Sequence, residues 1–349
     1  MSIRLALGHI EELDDEVVTF AHQLGLESVH LHTPTNLDES AGHWRLEELA
    51  ALRQRCEDAG LRLEAIENVP YRHWDKVLRG EPGRDEQLES YCRTIRNMGA
   101  AGIPTLGHHF IPGYVWRTDL RARGRGGALV TAFDIDRIGE GNKLAGYKLT
   151  PAATQEQVAV DAEQMWHNYE YFLRAVLPVA EEAGVRLALH PDDPPIDVAL
   201  GGFARIMSSP EGLMKAHQLS ADSPAWALNL CLGSVSEMDG ERSVNTVIDY
   251  FGSRRRIAYV HFRDVQGTVP RFAECFLGEG NYNPAAVIRR LVHSGFDGFL
   301  IDDHVPAMLG DPDTWADTST AAFCSRGRAH ALGYLSGVFN ALDLDVNGR

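Results

Sequence analysis

Eight short apolar runs, separated by longer stretches of helical character, constrain this chain more than any other feature. They are IRLALG (3–8), ESVHLH (27–32), LRLEAIE (61–67), IPTLGHHF (103–110), VRLALH (185–190), WALNLC (226–231), IAYVHF (257–262) and GFLIDD (298–303). Amphipathic segments lie between most of them, as at 14–24, 43–60 and 85–102. In the last of these, Leu88, Tyr91, Cys92, Ile95 and Met98 recur at the helical period and form a packing face. Gly25, Gly60, Gly102, Gly184 and Gly295 sit just past helical patterns and just before strands, where a helix C-cap glycine belongs. Strands that alternate with helices pair in parallel, and eight strand–helix units close a barrel.

The expectation is a single (β/α)8 barrel over residues 1–349, a length that also allows two ordinary domains. A doubly wound dinucleotide-binding sheet is the other arrangement of such units. The turn after the first strand reads GHIEEL and lacks the Gly-rich phosphate fingerprint that fold would need. Residues 111–155, after the fourth strand, are too long for an ordinary loop and carry RTDLRARGRGG. They read as an inserted lid or substrate loop, with a solvated insertion as the plain alternative.

The net charge of −16 argues against nucleic acid or an anionic membrane as partner. Five widely spaced cysteines with no CxxC pair fit a reducing cytosol rather than a disulfide framework. The N-terminal stretch MSIRLALGHIEELDDE turns acidic too soon for a signal peptide, and no apolar run reaches transmembrane length. The expectation is a soluble, cytoplasmic protein, with a symmetric homodimer as the default assembly.

Functional groups of such a barrel lie at the C-terminal ends of its strands. The last four strands end in His190, Cys231, His261 and Asp303, all metal-competent side chains. Singly, each has a plainer reading. His190 in LALHPDDPPI could be an acid/base or a capped surface residue, Cys231 a small buried hydrophobe, His261 a core histidine and Asp303 a loop cap. Together, at equivalent strand ends, they point to one divalent site whose mixed N/S/N/O set suits Zn²⁺, Fe²⁺ or Mn²⁺ better than Mg²⁺ or Ca²⁺. Asp192, Asp193, Arg263, Asp264 and His304 follow these ligands by one to three positions. Arg263 is a candidate to hold a substrate carboxylate, or else to pair with an acid such as Asp264. His304 is a candidate acid/base, or a loop histidine bonded to backbone.

HPDDPP (190–195), LCLGS (230–234), VHFRDV (260–265) and DDH (302–304) together resemble the mannonate dehydratase family. The likeness continues in GEPGRDEQLESYCRTIRNMGAAGI (80–103), HFIPGYVWRTDL (109–120) and GRAHALGYLSG (327–337), so it spans nearly the whole chain. It implies a xylose-isomerase-like TIM barrel and a hydro-lyase that dehydrates D-mannonate to 2-keto-3-deoxy-D-gluconate in hexuronate breakdown. It also implies Mn²⁺, with Fe²⁺, Co²⁺ or Mg²⁺ as substitutes, on His190, Cys231, His261 and Asp303, and it makes His304 catalytic. Asp192 and Tyr114 join His304 as catalytic candidates, and Arg263, His109, Arg117 and Asp193 are the substrate-binding candidates.

At several places the chain departs from the family. Phe323 stands where the family has its catalytic tyrosine, so the replacement acid is sought in Tyr114, Tyr282 or His109. Asp264 replaces an amide, CFLGEGN (275–281) replaces HLxGD, and His108 and His109 replace an aromatic–amide pair. These changes keep two other readings open: a metal-dependent sugar isomerase or epimerase, and a non-catalytic sugar-binding relative.

Overall fold

The computed structural model describes residues 3–112, 115–146, 160–312 and 325–344. Tyr114, Phe323, Cys324 and the end of the 111–155 insertion lie outside them. Eight strands close a barrel: β1 (Arg4–Ile10), β2 (Ser28–His32), β3 (Arg62–Glu67), β4 (Thr105–His108), β7 (Arg186–Leu189), β8 (Trp226–Cys231), β9 (Ile257–Phe262) and β12 (Phe299–Asp302). All pairs around the ring are parallel, including the β1–β12 closure. Each strand falls on one of the eight apolar runs. The helical segments become α1 (Asp15–Gln23), α2 (Leu46–Asp58) and, past the short α3 (Asp75–Arg79), α4 (Arg84–Ala100). The α4 stripe of Leu88, Tyr91, Cys92, Ile95 and Met98 is buried. The five helix-ending glycines all take φ between 67° and 81°, the left-handed conformation that ends a helix without a Cβ clash. Among the described residues no helix is long and apolar enough to cross a membrane.

The remaining strands were not foreseen. β5 (Asp119–Arg123) and β6 (Leu129–Asp134) lie in the insertion after β4, while β10 (Asp264–Thr268) and β11 (Arg271–Cys275) follow β9. They join as one antiparallel sheet in the order β10–β11–β6–β5. Two stretches distant in sequence thus build one structure, and Phe133 of β6 stacks on Phe272 of β11.

Inside the barrel, Ala6, Ala65, Ala188 and Ala227 leave room for Tyr259, Phe299 and Ile301, whose side chains fill the interior. Tyr259 and Phe299 stack with centroids 5.0 Å apart. Because side chains alternate along a strand, two residues past this apolar layer comes a second inward layer. It holds Glu67 after Ala65, His190 after Ala188, His261 after Tyr259 and Asp303 after Ile301. Gly107 belongs to the inward face of β4. A Cβ there would lie 2.2 Å from the Tyr259 hydroxyl oxygen, so only glycine admits that side chain.

Candidate metal centre and active site

Three of the four expected ligands come together at the C-terminal end of the barrel. Donor atoms of His190, Cys231 and His261 lie within 4.8 Å of one another, all buried. The fourth, Asp303, places Oδ2 3.7 Å from His261 Nδ1 and 3.9 Å from Cys231 Sγ. The ring nitrogens of the two histidines differ in their partners. His190 Nδ1 meets the Pro191 carbonyl at 2.6 Å, which turns Nε2 towards Cys231. His261 Nε2 meets Glu67 at 3.0 Å, while its Nδ1 is buried without a hydrogen-bond partner and faces Asp303. An orphaned buried nitrogen beside a thiol and a carboxylate fits a divalent ion of the N/S/O-binding kind.

The sulfur itself is prepared for a metal. Cys231 caps the N-terminus of α7 (Leu232–Gly252), where the Ser234 N–H and hydroxyl point at Sγ from 3.5 and 3.2 Å. Burial alone would push the thiol up, but the Arg263 guanidinium and His190 outweigh it and hold it well below its ordinary value. Asp303 is likewise held well below the carboxylate range, burial being overcome by His304, His261 and Arg263. Gly233 explains the glycine of LCLGS: a Cβ there would lie 2.3 Å from Arg263 Nε.

Arg263, Arg117 and Asp193 are brought together, but to one another. Arg263 donates to Asp193 at 2.9 Å, Glu274 at 2.8 Å and Ser234 at 3.0 Å, and lies 3.3 Å from both Glu237 and Asp303. It does not pair with Asp264. Arg117 grips both oxygens of Asp193 and reaches Glu274 at 3.0 Å. Both guanidiniums are about 1 % exposed or less, so their forks are filled by protein acids. Glu274 is lowered to about 2, because His304 and Arg117 more than offset its burial. Arg117 comes from the edge of the insertion and Glu274 from β11, so the antiparallel sheet is tied to the barrel through buried charge. Arg117→Met should cost about 3–5 kcal/mol by stranding two buried carboxylates. A lowered urea midpoint with unchanged slope would show it, and an unchanged midpoint would mean that Arg263 alone satisfies them.

His304 stands at the rim of the cluster with φ of +39°. Its Nδ1 meets Glu274 Oε1 at 2.6 Å, and its Nε2 lies 3.7 Å from Asp303 Oδ1. His9 Nδ1 lies at the same 3.7 Å from this oxygen, with its ring stacked on His32. Burial and His32 hold His9 well below its ordinary value.

The other expected residues separate. Asp192 turns to the backbone, its Oδ2 accepting from Met207 N–H at 2.6 Å, and burial raises it to about 6. His109 Nε2 bonds to Glu67 at 2.6 Å, and its ring stacks on His190 at 4.1 Å. His108 points the opposite way, packed near Phe172 and Tyr169 as an aromatic core residue. Tyr282 is buried and donates to the Arg263 carbonyl at 2.5 Å, which occupies its hydroxyl proton. Asp264 accepts the N–H groups of Gly278, Gly280 and Asn281 at 3.0–3.1 Å. The acid at the amide's place therefore holds the 278–281 loop. Tyr114 lies outside the described residues.

Sequence reasoning missed His9, His30, His32, Glu67 and Glu274. For Glu67 a signal existed: LEAIE alternates, and the inward alanine predicts an inward glutamate two residues on. Glu274 carried none, because its place depends on how two insertions pair.

The chain is similar to known proteins in both sequence and structure. A family model described as D-mannonate dehydratase (UxuA) matches residues 22–347. The mannonate dehydratase of Streptococcus pneumoniae (strain 70585) is 32% identical over 314 residues, covering 85% of this chain and 83% of the relative. Mannonate dehydratase 2 of Halalkalibacterium halodurans is 31% identical over 317 residues, covering 86% and 88%. The crystal structure of mannonate dehydratase from Streptococcus suis serotype 2 superposes with a TM-score of 0.83 at 26% identity, over 99% of this chain and 98% of that one. A D-psicose 3-epimerase from Clostridium cellulolyticum H10, at 12% identity and a TM-score of 0.59 over 96% of this chain and 99% of its own, shares the fold alone. The chain belongs to the mannonate dehydratase family.

Proposed function

We propose that this protein removes water from D-mannonate to give 2-keto-3-deoxy-D-gluconate, at a divalent-metal centre held by His190, Cys231, His261 and Asp303. The observation that carries the reading is the convergence of these four side chains around a buried, unpartnered His261 Nδ1. Mn²⁺ is the ion proposed, with Fe²⁺, Co²⁺ and Zn²⁺ as alternatives compatible with the donor set. When bound, such an ion supplies Lewis-acid polarisation of the substrate's carboxylate and neighbouring hydroxyl.

The chain's own groups do the rest. Dehydration takes a proton from C2, returns one to the departing C3 hydroxyl, and leaves an enol that becomes the 2-keto acid. His304 is the proposed proton-transfer residue: Glu274 fixes its Nδ1, and its Nε2 faces the rim beside Asp303. Tyr114 is proposed as the second such group in place of Phe323. Arg117, Arg263 and Asp193 are proposed to act as a buried wall of fixed charge that orients Glu274 and Cys231. Asp192 is proposed to hold the 206–207 backbone beneath His190, and His109 to wall the substrate pocket against the His190 ring. The 111–155 insertion is proposed as the lid of this pocket, within one barrel that spans the chain. The free thiols of Cys56, Cys92, Cys231 and Cys275 suit the cytoplasmic location we propose. A homodimer is the proposed assembly.

The test is turnover of D-mannonate by Mn²⁺-loaded protein beside a chelated control. A 2-keto-3-deoxy acid that disappears on chelation is the expected result. A product of unchanged mass would instead mean isomerisation or epimerisation, and no turnover with metal bound would leave a binding protein.

A further inference from the structure

Glu67 is outside the proposed ligand set, yet five side chains converge on it at the end of β3. Oε2 receives Tyr259 Oη at 2.9 Å, His261 Nε2 at 3.0 Å and His30 Nε2 at 3.1 Å. Oε1 receives His109 Nε2 at 2.6 Å and Asn229 Nδ2 at 3.3 Å. A carboxylate has about four acceptor positions, so five donors saturate it. That distinguishes Glu67 from a ligand, although His30–Glu67–His261 and His32–Glu67–His109 also bring metal-competent atoms within 4.8 Å. These groups are already spoken for by hydrogen bonds.

Two neighbours compete for His261 Nε2: Glu67 Oε2 at 3.0 Å and the Asn229 amide nitrogen at 3.1 Å. The amide nitrogen can only donate, and accepting from it would leave the ring's proton on Nδ1. The carboxylate can only accept, and it draws the proton to Nε2. Hydrogen bonds to an ionised acceptor are about twice as strong as neutral ones, and Glu67 and His261 are both buried. Asn229 Nδ2 also has Glu67 Oε1 as a second acceptor. The carboxylate therefore decides, and Nδ1 is left bare on the side of Cys231 and Asp303.

We infer that Glu67 is the positioning residue of the metal centre, setting the tautomer and ring orientation of His261 so that Nδ1 is available to the ion. Its other oxygen pins His109, whose ring stacks on His190. One carboxylate thus braces two proposed ligands, one directly and one through a stacked ring. The inference rests on the proposed ligand set and adds the group that prepares it.

The experiment titrates Mn²⁺ into metal-free full-length protein, comparing wild type with Glu67→Ala, Glu67→Gln and Cys231→Ala. Outer partners of metal-bound histidines typically contribute 10–100-fold in affinity. Glu67→Ala should weaken binding by about a hundredfold, because it hands His261 to Asn229. Glu67→Gln should recover most of this and lose about tenfold, its amide oxygen still accepting from His261 without the charge. In ¹⁵N–¹H spectra of Zn²⁺-loaded wild type, His261 should carry its proton on Nε2. Wild-type affinity in both Glu67 variants, with Cys231→Ala deficient, would overturn the inference and leave the ligand set standing. So would a His261 proton found on Nδ1. Wild-type affinity in Cys231→Ala would remove the ligand set and the inference together. Should Glu67→Ala fail to fold, the glutamine titration and the wild-type spectrum decide.

Discussion

Cys231→Ala is expected to lower Mn²⁺ affinity by more than about a hundredfold, beyond the range seen when only an outer partner is lost, and to abolish turnover with it. The thiolate is the one soft anionic donor of the four, and the site is arranged around it. The α7 N-terminus, two contacts from Ser234, and Arg263 at 3.4 Å all stabilise negative charge on that sulfur. A methyl group offers none of this. The barrel should nonetheless fold. Alanine leaves a void of about one sulfur atom, and Arg263 keeps its acids, so the metal-free variant should lose about 1–2 kcal/mol. His190→Ala should behave in the same way, since Nε2 has no substitute in the cluster. Metal analysis of the purified variants, beside urea unfolding, checks both statements. Wild-type metal content in either would show that the ion sits elsewhere.

The second large effect separates chemistry from metal binding. His304→Asn should retain the wild-type metal content and lose about 10²–10⁴-fold in kcat, the usual range for a general acid/base. Asparagine is the suitable replacement because residue 304 holds a left-handed φ of +39°, which asparagine tolerates better than most residues. The change removes a titratable imidazole from the rim while leaving Glu274 its arginine partners. Single-turnover rates at saturating metal measure it. A variant with near wild-type kcat would pass the proton-transfer role to another group at the rim. His9, at the same 3.7 Å from Asp303 Oδ1, would then be the first to examine.

Much of the barrel was legible because its signals are local. A strand shows as a short apolar run, a helix end as a glycine, and an amphipathic face as a stripe; each arises within a few residues. WALNLC and IAYVHF are coextensive with β8 and β9. The antiparallel sheet was not legible. DLRAR and DVQGT are short and polar and carry no apolar run, and β6 finds its β11 partner more than a hundred residues away. Their pairing is decided by contacts that no local window contains.

The site divides in the same way. Strand ends alone pointed to His190, Cys231, His261 and Asp303, because parallel strands of a barrel finish on one rim and alternation sends these side chains inward. Their partners needed the closed structure. Glu67 meets His261 from 194 residues away, and Arg117 meets Glu274 from 157. Arg263 could equally have faced a substrate or the protein, and four buried acids, Asp193, Glu237, Glu274 and Asp303, decided for the protein. By itself the sequence determined the eight barrel strands, the helix-ending glycines and which residues lie at the barrel strands' ends, since those follow from side-chain alternation and local backbone preference. The tertiary structure decided which nitrogen of each histidine is bare, which arginine is spent and which carboxylate is shared. In a dry interior every donor must find an acceptor, and the partners come from whatever the fold brings within 3 Å.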